Sequence, residues 1–592
     1  MEKFTGEYDD LFQTKLDSWV LFRSRLHDAF NQKELDLLIR SERTFNSKER
    51  VIAFLSFENR FASLGGLAAV ARLLPEYLTS IHEKVIFITP FHAANTSVQD
   101  AFKRGLLKVN FKDIVFHLCN YKGVLTCYED TTAKIPTYHL KINGHFEAGD
   151  NIYHYQDDEE RLLLDSLAFT AAVPYAVSRL GYDKNLLFHA NDWETAIISL
   201  TSKMAVISGL LSNARTVLTL HNGFDCGIPA KYKNKFLGKL LPGDTVLQCA
   251  LPFLNGPLTT VSIPFAHEIR YDPLQRGIFT DHLQMAFSMN PPVGIENGMF
   301  GKFISPFSEQ SLSAAKNEIY DPIIGEKNHF RSKLVEQIKS SVDERIIGEI
   351  SPFADDVPVF FMSGRLDIMQ KGFDVIFHAF RKLLPGSAKL IFCPSSNGNA
   401  GMLKFFNEIV EECRGNIVIW PFRISAEQYC TFVQGSSYLL MPSFYEPFGA
   451  ATEGYINGTP VIARGTGGLW LQVNPYDGIY RPEFYRDILK FPQRMEKPTG
   501  ILFRENYPDN LAEVEWRELL DLPPERRPEN PLYGAIVESA QLALQMAIDI
   551  FKKPHIYTSF IINGLETVKT FSWEKAARQY QKIYNIAVSR GF

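Results

Sequence analysis

Cysteine is scarce and scattered. The seven in this 592-residue chain (Cys119, Cys127, Cys226, Cys249, Cys393, Cys413 and Cys430) are odd in number and never spaced as CxxC. That excludes a disulfide framework and a zinc ribbon, and makes a reducing cytoplasm the expectation. Long apolar runs are also lacking: none reads as approaching the roughly 18 residues that span a bilayer. Acidic and basic residues interrupt every apolar run in the first 50 positions, so no secretory pattern is expected. Positive charge is not in excess either. With 62 Lys and Arg against 67 Asp and Glu, the formal charge is -5, which leaves no basic stripe for nucleic acid and no polybasic patch for a membrane.

What is present reads as an α/β protein. The chain is longer than one hydrophobic core supports, so at least two domains are expected. Residues 1–49 read as a helical N-terminal flank, with Leu11, Trp19, Phe22, Leu26 and Phe30 near a helical period. Val51 to Phe57 and Val85 to Pro90 read as buried strands, and further strands end at His189, His221 and Ser262. Strands alternating with helices predict a doubly wound domain over 50–300. Residues 301–355 are less periodic and read as a linker or excursion. A second α/β series runs over 356–560, and 561–592 is a C-terminal helical segment. Two Rossmann-like domains place the expected active site in a cleft between them.

The segment Pro442-Ser443-Phe444-Tyr445-Glu446-Pro447-Phe448-Gly449 follows an apolar strand and precedes another. It sets the Glu446 carboxylate at a strand's carboxyl end, and Gly449 is read as opening a helix whose free N–H groups receive an anion. Glu453, seven residues on, is read as sharing a helix face with Glu446. Gly364 to Gly372 brings two cations, Arg365 and Lys371, onto one strand-to-helix loop, where a diphosphate leaving group needs its charge neutralised. Thr466-Gly467-Gly468 and Gly65-Gly66 are read as turns whose N–H groups cradle phosphate or sugar oxygens. Asn191, Asp192, His221 and Asn222 stand at strand ends in polar loops suited to hydroxyl recognition. No group has metal-ligand spacing: the acidic run Asp157 to Glu160 reads as a solvated helix start, and Asp355-Asp356 lacks a third ligand.

In these residues the chain resembles the glycogen and starch synthases, retaining glycosyltransferases of GT-B architecture, from about residue 50 to its end. Ser63-Leu64-Gly65-Gly66-Leu67 is similar to the family's Lys-Thr-Gly-Gly-Leu loop, and His189 to Trp193 to the plant Asn-Asp-Trp-His segment. Gly364-Arg365 with Gln370-Lys371-Gly372, Glu446-Pro447-Phe448-Gly449 and Thr466-Gly467-Gly468-Leu469 also have counterparts. So do Thr219 to Asn222, Thr259 to Ser262, Glu296-Asn297-Gly298 and the terminal Phe571-Ser572-Trp573-Glu574, whose helix crosses back to the first domain in the family. The resemblance implies transfer of glucose from ADP- or UDP-glucose to the non-reducing end of an α-1,4-glucan or maltooligosaccharide, without a cofactor or metal. Arg365 and Lys371 would bind the diphosphate and Glu446 would work beside the transferred sugar. Gly65, Gly66, Gly449, Glu453, Thr466, Gly467 and Gly468 would line the donor, and Asn191, Asp192, His221, Asn222 and Asn255 would be sugar or acceptor contacts.

The chain departs from that pattern at four places. Ser63 stands where the loop carries Lys, Ala69 where its helix carries Asp, and Glu194 where His is usual. The helix after Glu446 is one residue short, so the usual second carboxylate position falls at Gly454 and Glu453 lies about 100° from it around the helix. These departures keep two alternatives in view: a GT-B transferase with another sugar donor or a small acceptor, and a degenerate glucan-binding regulatory subunit. Cytoplasmic placement is the expectation, or a plastid-like compartment if a transit peptide is removed. The donor's base and the oligomeric state are not legible.

Overall fold

The computed structural model describes residues 29–155, 158, 160–238, 241, 243–301, 303–395, 400–477, 480–485 and 497–589. The expected helical period over Leu11, Trp19, Phe22 and Leu26 lies outside these residues, as do Asp157 and Glu159 of the acidic run. The chain divides into two compact units. The first holds the chain up to Arg270, Phe279–Gly298 and the stretch from Trp573 onward; the second holds Tyr271–Ile278 and Met299–Ser572.

The first unit is built on β1 (Val51–Leu55), β2 (Lys84–Pro90), β3 (Leu107–Leu118), β4 (Tyr121–Asp130), β5 (Thr137–Ile142), β6 (Leu186–Asn191), β7 (Ala214–Leu220), β8 (Thr259–Thr260) and β9 (Val293–Gly294). Their order is β3-β4-β5-β2-β1-β6-β7-β8-β9. From β5 to β9 every neighbour is parallel, with Ala53 of β1 opposite Ile86 of β2 and Phe188 of β6. The central strands β1 and β2 and the first half of β6 are almost wholly apolar, as strands buried on both faces are. The antiparallel ribbon β3-β4 is absent from the sequence reading: its exposed positions carry Lys108, Asn110, Lys112 and Asp113, which dilute the apolar signal. Helix Trp573–Ser589 belongs to this unit, where the Tyr584 hydroxyl meets His189 Nδ1 at 2.8 Å.

The second unit contains β10 (Ile347–Ile350), β11 (Val359–Arg365), β12 (Lys389–Ser395), β13 (Asn416–Ile419), β14 (Tyr438–Met441), β15 (Val461–Arg464) and β16 (Gly500–Phe503), in the order β10-β13-β12-β11-β14-β15-β16. All neighbours are parallel except β10 and β13. The sheet packs Val359, Phe361, Ile391, Val418 and Val461 with Trp420, Phe432 and Trp470 in one core. Residues 301–355, read as a linker, supply structure instead: helices Glu309–Ala315 and Asp321–Ser340 and edge strand β10. Leu334 enters the core, and the buried Lys327 ammonium donates to the Gln434 and Gly458 carbonyls. Their mixed charge hid an amphipathic helix.

One expectation about apolar length is corrected. Helix Pro531–Phe551 has 21 residues and is long and apolar enough, by length and composition, to cross a membrane. Its Leu532, Ile536, Ala540, Leu544 and Ala547 are buried in the second unit, and the Tyr438 hydroxyl donates to the Ala547 carbonyl. It is a core helix here; Gly534 and its small residues blur its period in the sequence.

Candidate active site

In the second unit the residues that carry chemistry gather at the carboxyl ends of β11 and β14, where an open α/β sheet binds its ligands. The Asp367 carboxylate shapes the loop after β11, accepting the Met369 and Gln370 N–H groups at 3.1 Å each. Arg365 is exposed at the strand end and donates to Gln370 Oε1 at 3.0 Å. Gly372 takes φ 58°, and a Cβ there would lie 2.6 Å from the Pro442 carbonyl, so the two loops touch backbone to backbone. Phe444 N–H bonds the Gln370 carbonyl across the same contact, at 2.8 Å. The result is an ion pair of Lys371 Nζ with Glu446 Oε2 at 2.6 Å, the same oxygen accepting from Ser443 Oγ at 3.0 Å.

Two details of the sequence reading are corrected. The helix after this loop is Ala451–Ile456, so Glu446 lies before it in the loop and shares no helix face with Glu453. Its first N–H groups are engaged: Ala451 donates to Gln472 Oε1 at 2.9 Å and Glu453 to the Ala450 carbonyl at 3.0 Å. The Gly467-Gly468 turn, expected as an oxygen cradle, also holds the neighbouring loop. Gly468 N–H donates to the Glu446 carbonyl at 3.1 Å. A Cβ on Gly467 would sit 1.9 Å from that carbonyl oxygen, and one on Gly468 1.9 Å from that of Phe448. The glycines form a clamp that seats the Glu446 backbone.

Buried arginines, which the sequence reading missed, brace both loops. Arg464 at the end of β15 pairs with Glu505 and donates to the Phe444 carbonyl at 2.6 Å. Arg527, in the proline-rich stretch after Leu522, is fully buried and reaches the Ile368 carbonyl at 3.1 Å and Asp374 Oδ2 at 2.9 Å. Nothing in a local pattern separates such an arginine from a solvated one. Arg527→Met leaves Asp374 buried with, among the described residues, the Tyr533 hydroxyl as its one side-chain partner. It is expected to cost about 3–5 kcal/mol in denaturant melts, with part recovered when Asp374→Asn is added. A loss below about 1 kcal/mol would remove Arg527 as the brace.

In the first unit β1, β6 and β7 end in three polar loops. Asn191 is buried; its amide nitrogen donates to the Leu55 carbonyl at 2.8 Å, which turns its oxygen toward His221 Nε2, also 2.8 Å away. Burial lowers the His221 pKa to about 3, so the ring is neutral, donates from Nε2 and keeps Nδ1 as an acceptor. Asp192 takes φ 58°, strained for a residue with a Cβ, and accepts the His221 N–H at 2.6 Å. Asn222 caps its own loop, accepting from Phe224 N–H at 2.8 Å. Asn255 is corrected to a structural residue: it is fully buried and its oxygen accepts Thr216 N–H at 3.0 Å and Lys203 Nζ at 3.2 Å. The Gly65 loop already holds a carboxylate of its own chain, since Glu58 Oε2 accepts Leu64 N–H at 2.9 Å and Gly65 N–H at 3.0 Å.

Residues 51–253 match the starch synthase catalytic domain family and residues 343–483 the glycosyl transferases group 1 family. The chain is similar to the glycogen synthase of Kosmotoga olearia, 27% identical over 91% of this chain and 98% of that one. It is likewise similar to that of Thermosipho africanus, 25% identical over 91% and 99%. Along most of its length the chain is thus similar to the glycogen and starch synthases. It is a glycosyltransferase. Its fold is also that of the catalytic domain of starch synthase IV from Arabidopsis thaliana, a structure bound to ADP and acarbose, with TM-score 0.64, 19% identity and coverage of 91% and 99%.

Two departures from the synthase pattern now have a physical account. Gly454, where the second carboxylate was missing, packs inward: a Cβ would lie 2.9 Å from the Thr459 carbonyl and from Val461 Cγ2. Glu453 is the carboxylate that feels Lys371 and Glu446 electrostatically, and it accepts from the Tyr429 hydroxyl at 2.8 Å; burial raises its pKa. Glu194, in place of histidine, is buried with Asp192 and Glu58 close enough to oppose its ionisation, and burial foremost holds its pKa well above the ordinary range. Burial, then Glu58, raises Asp192 to about 7. A carboxyl that keeps its proton better folded than unfolded stabilises fully below pH about 4, and that stability is lost as pH rises to about 7. Asp192→Asn should therefore flatten the stability profile between those limits, removing a slope on the order of 3 kcal/mol in all. An unchanged slope in urea melts across pH 4–8 would show that Asp192 titrates normally.

Proposed function

We propose that this glycosyltransferase moves glucose from a nucleotide-diphosphate glucose to the non-reducing end of an α-1,4-glucan, with retention at the anomeric carbon. One observation carries the reading: Arg365 and the Lys371–Glu446 pair, 2.6 Å apart, share the carboxyl edge of one sheet. Breaking the bond from the anomeric carbon to the diphosphate leaves negative charge on the leaving group, which the two cations neutralise. Positive charge left on the sugar is matched by the Glu446 carboxylate. The acceptor hydroxyl oxygen forms the new bond to the anomeric carbon as the bond to the diphosphate breaks, and its proton passes to the departing diphosphate oxygen. The second unit carries the donor and the first the acceptor, with His221 Nδ1 as a hydroxyl acceptor.

A nucleotide-sugar donor and a glucan acceptor are the partners of this reading. The relatives' bacterial origin supports cytoplasmic placement, and the plastid alternative is not borne out. The test is release of nucleoside diphosphate from ADP-, UDP- and GDP-sugars, glucose among them, with and without glycogen or maltooligosaccharides. Acceptor-dependent release from one glucose donor is expected and names its base. Release from a different sugar only, or none beside retained glycogen binding, would overturn it.

A further inference from the structure

The first unit contains a recess of about 220 Å³ between helix Gly66–Ser80, β2 and the stretch Asp130 to His139. None of the residues given a role in transfer lines it. Its wall includes Asp130 and His139, 4% and 0% exposed. Asp130 Oδ1 is well supplied, taking Arg60 Nη2 at 2.7 Å, Thr132 N–H at 3.0 Å and Thr132 Oγ1 at 2.9 Å. Its Oδ2 is buried without a partner among the described residues, and the His139 ring, faced by the Pro90 carbonyl, completes no hydrogen bond of normal geometry among them. Buried polar atoms are rarely left so, because each forgoes water without compensation. Burial lowers the His139 pKa to about 4, so a neutral ring offers one donor and one acceptor.

The mouth has a different character. Lys134 bonds Glu76 at 2.7 Å, whereas Arg72, exposed on the helix, makes no ion pair among the described residues. The wall thus asks for a hydroxyl donor and the mouth for an anion. We propose that this recess binds a small polyol bearing one anionic group, a phosphomonoester or a carboxylate, with hydroxyls on Asp130 Oδ2 and His139 and the anion at Arg72. The size suits a compact ligand, below the usual range for drug-sized ones.

Calorimetric titration of the full chain with glycerol 3-phosphate and with gluconate tests this, against glycerol and inorganic phosphate. At least one hydroxylated anion should bind saturably, and glycerol and phosphate at least about tenfold more weakly, since each supplies half the contacts. Arg72→Ser should cost about tenfold for the anions, the loss of one charge-assisted contact. Ala71→Met fills the recess and should abolish binding; if it does not fold, Ala133→Phe on the facing loop serves instead. No saturable binding to either anion overturns the proposal. So does binding that survives Arg72→Ser and the filled recess, which would place it at Arg365 and Lys371, and so does phosphate binding as tightly as glycerol 3-phosphate. Turnover enters none of these readouts, so they stand apart from the proposed transfer.

Discussion

Glu446→Gln should lower turnover by about 10²–10³-fold, the scale on which a group aimed at developing charge acts. The fold should be kept at a modest cost in stability. Glutamine has nearly the volume of glutamate, Ser443 keeps a neighbour, and the lost ion pair with Lys371 has side chains 21% and 13% exposed. A mostly buried pair lies between exposed pairs, at about 0–1 kcal/mol, and fully buried ones, at about 3–5 kcal/mol, and glutamine keeps a polar partner for Lys371, so a loss of about 1–2 kcal/mol and a fall of a few °C in melting temperature are expected. Steady-state release of nucleoside diphosphate beside a thermal melt checks both halves. Retained turnover, or activity lost only in step with folding, would take Glu446 out of the chemistry and leave it a structural partner of Lys371.

The second large effect is expected from a residue that has no side chain. Gly467→Ala places a Cβ 1.9 Å from the Glu446 carbonyl oxygen, a contact relieved only by moving one backbone segment by about 1 Å or more. Displacement of that order at a reacting group costs about 10²-fold in rate. The left-handed φ of 47° adds strain of about 1 kcal/mol for a residue with a side chain. Turnover should fall by about 10²-fold, with a measurable loss of stability. The control is Gly534→Ala in helix Pro531–Phe551, where an added Cβ meets nothing within 4 Å. That change should be neutral or stabilising by up to about 1 kcal/mol, because alanine is the better helix former. Wild-type turnover in Gly467→Ala would mean that the loop yields without moving its carboxylate, and that the clamp plays no part in catalysis.

Both effects rest on residues the sequence made visible, and the physical reason lies in how each was legible. Short apolar runs ending in Gly, Arg or His marked the parallel strands, because a strand covered on both faces must be apolar throughout. Strand-end loops then held Arg365, Lys371, Glu446 and His221 where α/β sheets bind ligands. The ribbon β3-β4 and the helices in 301–355 stayed hidden, because half-exposed elements carry Lys, Glu and Asn at most outward positions. Glycines showed where a side chain is forbidden without showing why. Gly467 and Gly468 read as an oxygen cradle, and their role as a backbone clamp stayed hidden, because what a missing Cβ makes room for is set by a segment some twenty residues away. Gly454 and Glu453 differ in the same way: helical spacing alone could not say which faces Lys371, since the helix begins after Glu446.

The sequence by itself determined the class of fold, the strand ends and the identity of the charged groups, since these follow from short-range periodicity and local chemistry. Only the tertiary structure decided their pairing. Lys371 meets Glu446 across 75 residues, Arg527 reaches Ile368 across 159, and Asn255 turns inward to Lys203 and Thr216. Such contacts form once the loops between them are closed, and no local propensity encodes which distant partner a buried charge will find.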